Sequence, residues 1–366
     1  MSQPVCFVVG ARPNFMKVAP VYNALREVDS RLELLLVHTG QHYDEGMSEV
    51  FLKELALPPP DVFLGIGSGS HGEQTAKALV GVEAVLRERE AALCVVAGDV
   101  NSTLAAALAA SKLQIPVAHV ESGLRSFDER MPEEANRRLT DHLSRLLFAH
   151  SDSAVENLRH EGIDASRVHL VGNTMIDSVF AHLPLALARE PWTRFGVDEG
   201  DFALVTLHRP ALVDDGDRLR AVAEALISLS AELPVIFPVH PRTQSRLDGI
   251  GFGREALGTT GLRVCAPLGY LDFLALEAKA RFVLTDSGGV QEETSALTVP
   301  CFTLRETTER PVTAELGTNT ILGADPARVH SIPRLLDVHS APAAQIPLWD
   351  GKAGLRTAQA ISSFLA

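Results

Sequence analysis

The chain has 366 residues, 46% of them hydrophobic, and a formal net charge of −13. That length suits two domains of ordinary size, with apolar residues enough for two cores. A negative chain without a long basic run excludes nucleic acid as its main partner, because phosphate-backbone binding needs clustered Lys and Arg; a small anionic ligand needs only a few local donors.

Short apolar runs alternate with helical patterns along the chain. Val5–Val9 reads as a strand, Met16–Glu27 as a helix and Leu32–Val37 as a second strand. Met47–Leu55 is helical up to Pro58-Pro59-Pro60, and Glu73–Glu88 is a longer helix. Leu93–Ala97 is a strand, Thr103–Lys112 a helix and Val117–Val120 a strand. Pro132–Phe148 reads as one helix, Ser153–Glu161 as another, and Val168–Val171 closes this half. Weak patterning from about Ala181 to Gly200, with Pro184 and Pro191, reads as a connection between domains.

A second series follows. Phe202–Leu207 is a strand, Asp217–Ser230 a helix, and Val235–Val239 and Arg263–Ala266 are strands. Leu271–Ala280 is a helix, Phe282–Thr285 a strand, Val290–Ala296 a helix, Pro300–Leu304 the last clear strand and Ala353–Leu365 a final helix. Repeated strand–helix–strand units imply parallel sheets covered on both faces. The fold class expected is therefore α/β, with two doubly wound Rossmann-like domains and a cleft between them. The N-terminal domain is expected over 1–180 and the C-terminal domain over 181–352.

No basic segment leads into a long apolar run at the N-terminus, and no apolar stretch approaches the roughly 18–20 residues of a membrane span. The expectation is a cytoplasmic protein with no membrane association. Cys6, Cys94, Cys265 and Cys301 are widely spaced and are expected to be reduced structural thiols.

Ligands of doubly wound sheets bind beyond the C-terminal ends of the strands, so the residues there carry the functional argument. Gly10-Ala11-Arg12-Pro13-Asn14 follows the first strand and opens a helix bearing Lys17. It lacks the GxGxxG spacing of a dinucleotide site, yet Arg12 offers a two-donor grip on phosphate. Asp99, in Gly98-Asp99-Val100-Asn101-Ser102, suits a helix cap as well as a site. Glu121 ends the next strand, and Glu133 stands in the first turn of the helix opened by Pro132. Three carboxylates over one sheet edge can hold unequal proton affinities for acid–base work, and could equally hold a metal.

In the second half His208 follows a strand, and His240-Pro241-Arg242 is a weaker parallel case. Thr285-Asp286-Ser287-Gly288-Gly289-Val290-Gln291-Glu292-Glu293 runs from strand into helix. Exposed N–H groups at such a helix start favour a diphosphate, and Glu293 stands one turn in to accept from ribose hydroxyls. Arg305 and Arg310 follow the next strand. The residues alone point to an anionic, nucleotide-linked substrate and carboxylate–histidine chemistry.

These segments, with Thr39-Gly40-Gln41-His42, His119-Val120-Glu121-Ser122-Gly123-Leu124-Arg125, Pro132-Glu133-Glu134-Ala135-Asn136-Arg137, Gly172-Asn173-Thr174 and Thr307-Thr308-Glu309-Arg310-Pro311, resemble the non-hydrolysing UDP-N-acetylglucosamine 2-epimerases along nearly the whole chain. The resemblance implies a glycosyltransferase-B type of fold, with the final helix, 353–366, returning to the first domain. It implies that Asp99, Glu121, Glu133 and His208 are catalytic, and that Arg12, Lys17, Phe273, Ser287, Gly288, Gly289, Glu293 and Arg310 bind the UDP-sugar. Among these, Phe273 would lie by the uracil. The implied reaction interconverts UDP-GlcNAc and UDP-ManNAc by anti elimination of UDP to 2-acetamidoglucal and syn re-addition, with no metal or other cofactor, in a homodimer. Pro210 and Ala211 replace a basic residue and a Glu found in many members, and the residues after Gln41-His42 also differ. Those positions lie near a second, activating substrate site in bacterial members, so allosteric activation is not carried over. Rival readings are a 2-epimerase of a C3- or C6-modified UDP-sugar, a hydrolysing epimerase, a glycosyltransferase of the same fold, a metal-dependent hydrolase and a catalytically inert nucleotide-sugar sensor.

Overall fold

Val-, Leu- and Ala-rich strands separated by amphipathic helices build two parallel sheets, and the chain divides into two compact units, 1–178 with 347–366, and 179–346. The computed structural model describes residues 4–40, 52, 54–253, 257, 261–338 and 345–366. The helix expected over 47–55, and Gln41-His42, fall largely or wholly outside the described residues.

The first unit runs β1 (Pro4–Val9), α1 (Arg12–Val28), β2 (Glu33–His38), β3 (Val62–Phe63), α2 (His71–Glu88), β4 (Leu93–Ala97) and α3 (Asn101–Lys112). It continues with β5 (Val117–Ser122), α4 (Pro132–Leu143), β6 (Leu146–Ala149), α5 (Asp152–His160), β7 (Val168–Leu170) and the start of α6 (Thr174–Leu187). Its sheet order is β3-β2-β1-β4-β5-β6-β7, parallel throughout. Strands β4 and β5 are buried at every position, as expected of strands covered on both faces. Helix α2 begins two residues earlier than its periodicity suggests, because Ser70 and Glu73 form a reciprocal cap: Glu73 N donates to Ser70 Oγ at 3.3 Å and Ser70 N to Glu73 Oε2 at 3.0 Å.

The second unit runs β8 (Ala203–Thr206), α7 (Pro210–Val213), α8 (Gly216–Ser230), β9 (Val235–Pro238), α9 (Pro241–Gly249), β10 (Leu262–Cys265) and α10 (Tyr270–Lys279). Then follow β11 (Phe282–Thr285), α11 (Gly288–Leu297), β12 (Cys301–Thr303), α12 (Pro311–Glu315), β13 (Asn319–Ile321) and α13 (Ile332–Val338). The order β10-β9-β8-β11-β12-β13 repeats the plan of the first sheet. Each sheet therefore reverses strand order once, between β1 and β4 and between β8 and β11, and those reversals are where doubly wound sheets bind ligands.

The last helix, α14 (Ala353–Leu365), packs against α1 in the first unit. Gly354 allows the contact, since a Cβ there would lie 2.7 Å from the Pro20 backbone. Asp177 accepts from Ala353 N at 3.1 Å and Gly354 N at 2.7 Å, satisfying donors at the start of α14.

Three expectations are corrected. The single helix over Pro132–Phe148 is α4 plus β6: Arg145 N donates to Val117 O, which draws the apolar run that follows into the sheet beside β5. The connection expected over 181–200 contains the end of α6, which passes through Pro184, and a 3₁₀ turn at Pro191–Phe195. Burial of Ile176, Val179 and Ala186 at helical spacing sustains α6 despite the proline. Finally, β13 pairs in parallel with β12, so Pro300–Leu304 does not contain the last strand; the three-residue Asn319–Ile321 is too short and polar to stand out from its flanks. The cysteines are all free thiols, with Cys6, Cys94 and Cys301 buried and Cys265 half-buried. Among the described residues no helix is long and apolar enough to cross a membrane.

Candidate functional site

In the first unit the strand reversal gathers Lys17, Asp99 and Glu121. Asn14, one turn into α1, organises the approach. Its Oδ1 accepts from Gly10 N at 3.2 Å and Ala11 N at 3.0 Å, while its Nδ2 donates to Ala97 O at 2.8 Å at the end of β4. The β1 and β4 ends are thereby locked across the reversal. The side chain of Arg12 lies outside the described residues.

Lys17 Nζ stands 2.8 Å from both Oε1 and Oε2 of Glu121, and the two side chains are 7% and 4% exposed. Glu121 sits where the β5–β6 register slips, and its φ is +66°, a left-handed conformation rare for a residue with a Cβ. Such a bulge re-aims a side chain, and the strain, roughly 1–2 kcal/mol, is borne where Lys17 binds it. Gly98 (φ +67°) leaves room for the ammonium, since a Cβ there would approach Lys17 Nζ to 3.0 Å.

Asp99 follows on the same turn. Arg137 Nε lies 3.4 Å from Asp99 Oδ2, and Asn136 Nδ2 donates to the Asp99 carbonyl at 2.8 Å. The two adjacent glutamates on α4 have different surroundings. Glu134 is buried and accepts from Ser126 N, Ser126 Oγ and Arg137 Nη1, which fixes the loop before α4. Glu133 is half-buried and makes no ion pair among the described residues.

His119 and Asp141, fully buried, brace this edge. His119 Nε2 is 2.8 Å from Gly98 O and Nδ1 is 2.7 Å from Asp141 Oδ1. Asp141 also accepts from Gly123 N and pairs with Arg125 at 2.8 Å. Burial pushes the Asp141 carboxyl upward, but His119 and Arg125 outweigh it and hold the carboxyl below its ordinary range.

In the second unit the reversal joins His208 to the start of α11. Asp286, fully buried after β11, accepts from His208 N at 2.9 Å and Arg209 N at 2.8 Å, and its Oδ1 lies 3.1 Å from His208 Nδ1. One carboxylate thus fixes both the backbone and the ring of His208. Ser287 stands at the N-cap position of α11 without a side-chain capping bond, its N donating to Thr285 Oγ1 at 2.9 Å, and Gly288 and Gly289 form the first turn. Gly288 gives Arg310 its place: a Cβ would lie 2.5 Å from Arg310 Nη1, so the guanidinium would have to move.

Arg310 pairs with Glu292 at 3.0 Å. Glu309 is surrounded by Arg209 at 3.2 Å, Arg305 at 2.7 Å and Arg310 at 3.5 Å. Burial raises the Glu309 carboxyl, but the three guanidiniums prevail and hold it well below the usual range. Guanidiniums and the free N–H groups of an N-terminal helix turn stand side by side here, a combination that suits a polyanion. Glu293 is buried on α11, and burial lifts its carboxyl to about 7. Phe273 is half-buried on α10. His240 caps α9, accepting from Arg242 N, with its ring centroid 6.3 Å from that of His208.

The structure groups Lys17, Asp99 and Glu121 in one unit, and His208, Ser287, Gly288, Gly289 and Arg310 in the other. Sequence reading singled out neither Asn14, His119 and Asp141 nor the anchoring roles of Asp286 and Glu309. The signal for the last two was the motif containing them; Asp141, in the last turn of α4, had none.

Two Rossmann-like units with repeated topology and polar groups at both reversals define an α/β enzyme of the glycosyltransferase-B type. The family model described as UDP-N-acetylglucosamine 2-epimerase matches residues 24–362. The UDP-N-acetylglucosamine 2-epimerase of Methanocaldococcus jannaschii is 45% identical over 86% of this chain and 87% of its own length. A Pseudomonas aeruginosa protein named UDP-2,3-diacetamido-2,3-dideoxy-D-glucuronate 2-epimerase is 42% identical over 87% of each chain. The crystal structure of the M. jannaschii enzyme in complex with UDP-GlcNAc and UDP superposes with a TM-score of 0.89 at 41% identity, covering 99% of this chain and 100% of that one. The chain belongs to the UDP-N-acetylglucosamine 2-epimerase family.

Proposed function

We propose that this protein is a non-hydrolysing UDP-N-acetylglucosamine 2-epimerase, with the first unit moving the C2 proton and the second binding UDP. The observation that carries the reading is the set of carboxylates at the first sheet's strand reversal, with Glu121 held by Lys17 on a strained bulge.

The hydrogen at C2 is not acidic enough for direct removal beside an acetamido group. Elimination avoids the difficulty. A base takes the C2 proton, the C2–H electron pair becomes the C1=C2 bond, and the C1–O bond breaks with its electrons passing to UDP. The 2-acetamidoglucal then takes UDP back at C1 and a proton on the opposite face of C2. Asp99, Glu121 and Glu133 are the proton-transfer groups in this reading, with Lys17 holding Glu121 ionised and oriented. Arg12, His208, Arg310 and the Ser287-Gly288-Gly289 turn stabilise charge growing on the leaving diphosphate. Glu293 takes the ribose hydroxyls and Phe273 lies by the uracil. The reading includes a cytoplasmic homodimer, whose mass light scattering would report.

Proton NMR of UDP-GlcNAc with the protein in D2O, with EDTA present, tests the reading. Formation of UDP-ManNAc carrying deuterium at C2 supports it. Release of free N-acetylmannosamine would instead identify a hydrolysing epimerase. The P. aeruginosa relative makes UDP-2,3-diacetamido-2,3-dideoxyglucuronate the second substrate to try, and exchange with that sugar alone would move the specificity there.

A further inference from the structure

Gln291 lies one turn into α11 and is fully buried. Its carboxamide reaches both segments assigned above to the diphosphate. Nε2 donates to the carbonyl of Ser287 at 3.1 Å. Oε1 accepts from Thr308 Oγ1 at 2.7 Å and from Asn319 Nδ2 at 3.0 Å. A backbone carbonyl can only accept, so the bond to Ser287 fixes which end of the carboxamide faces it. Both lone pairs of Oε1 are then in use.

The two bonds at Oε1 lead to the two sides of Arg310. Thr308 gives its proton to Gln291 and accepts from Arg310 N at 3.1 Å. Asn319 Nδ2 also donates to Thr313 Oγ1 at 3.1 Å, and Thr313 Oγ1 donates to the Arg310 carbonyl at 2.8 Å. Thr303 Oγ1 donates to Asn319 Oδ1 at 2.6 Å, which ties this arm to β12. Thr303, Thr313 and Asn319 are buried, where a broken bond leaves a polar group that water cannot reach. One carboxamide oxygen thus holds both the amide and the carbonyl of Arg310.

The nitrogen end acts on the helix start. The Ser287–Gly288 peptide is planar and trans, so a Ser287 carbonyl drawn toward Gln291 aims the Gly288 N–H the opposite way, out from the first turn of α11. The Arg310 guanidinium lies over that glycine, 2.5 Å from where a Cβ would stand. The contacts close a ring through Ser287, Gly288, Arg310, Thr308 and Gln291.

We propose that Gln291 is a positioning residue of the diphosphate site: its carboxamide holds the Ser287-Gly288 turn and Arg310 in register, so that backbone N–H and guanidinium meet the same anion. This rests on the reading of those residues given above. Gln291 acts only through Ser287 and Arg310, and its loss weakens the ligand that carries the second phosphate.

The test is calorimetric titration of the full-length protein with UDP and with UMP, for wild type, Gln291→Met, Thr308→Val and Thr308→Ser. Wild type should prefer UDP by at least about tenfold. Gln291→Met keeps the volume and loses every bond, and its preference should fall at least about threefold through UDP alone. Its unchanged affinity for UMP then reports an intact fold. Thr308→Val cuts one arm at a half-buried position and should also lower the preference, whereas Thr308→Ser keeps the hydroxyl and should retain it. Equal weakening of both ligands, a smaller fall in Gln291→Met, or a serine variant that behaves as the valine one overturns the proposal. Should Gln291→Met not fold, the Thr308 pair decides by the same comparison. If wild type itself fails to prefer UDP, the placement of the diphosphate falls and the inference with it, while the D2O experiment still judges the epimerase reading.

Discussion

Lys17→Met tests whether the Lys17–Glu121 pair is a unit whose charges compensate each other. At 2.8 Å the gross attraction is about 6 kcal/mol for an effective dielectric of roughly 20. Burial costs each ion several kcal/mol, so the pair taken together contributes little, but removing one partner leaves an uncompensated charge worth about 3–5 kcal/mol. Solvent screening does not soften this, because the side chains are only 7% and 4% exposed. Replacing both by methionine should recover much of the loss, giving a coupling energy of about 2–4 kcal/mol in a double-mutant cycle. The chain has two tryptophans, Trp349 in the first unit and Trp192 in the second, so a Trp192→Phe background makes fluorescence report the first unit. With a slope of about 2–3 kcal/mol/M, Lys17→Met should lower the urea midpoint by about 1–2 M. A shift below about 0.3 M, or a double mutant equal to the sum of the singles, would refute the reasoning.

Asp99→Asn and Glu133→Gln should each lower turnover by about 10²–10⁴-fold while leaving the UDP dissociation constant within about threefold; comparable loss of UDP binding would make either residue structural. Gly288→Ala would force Arg310 off Glu292 and should weaken UDP binding by about tenfold or more, equivalent to at least about 1.4 kcal/mol; unchanged calorimetry would show that Arg310 has no part in the anion site. Asp286→Ala frees the His208 and Arg209 amides and the His208 ring, so UDP affinity and turnover should fall together, and a fall in neither would remove Asp286 from the site's support. Asp177 is pushed up to about 6 by burial. A raised folded-state value means its stabilising contribution is complete below the unfolded value of about 3.9 and is lost as pH climbs through about 6. Asp177→Asn, which does not titrate, should therefore gain stability relative to wild type between pH 5 and pH 7, and parallel urea midpoints across that range would contradict this.

The sequence by itself determined the α/β class, most of the strands and which polar residues stand at the strand ends. Parallel strands buried on both faces appear as short apolar runs, and the strand-end motifs are local: Gly98-Asp99, Glu121 and Ser287-Gly288-Gly289 can be found without knowing what faces them. An apolar run such as Leu146–Ala149 suits a helix or a strand equally, and only the hydrogen bond from Arg145 to Val117 beside β5 decided it. Tertiary structure alone also decided which groups those strand-end residues meet. Lys17 is 104 residues from Glu121, and Asp286 is 78 from His208. Sequence periodicity reports which face of an element is apolar; it does not report which polar group meets which once strands distant in sequence become neighbours. That pairing sets the charge, orientation and strain of each side chain, and it exists only in the folded chain.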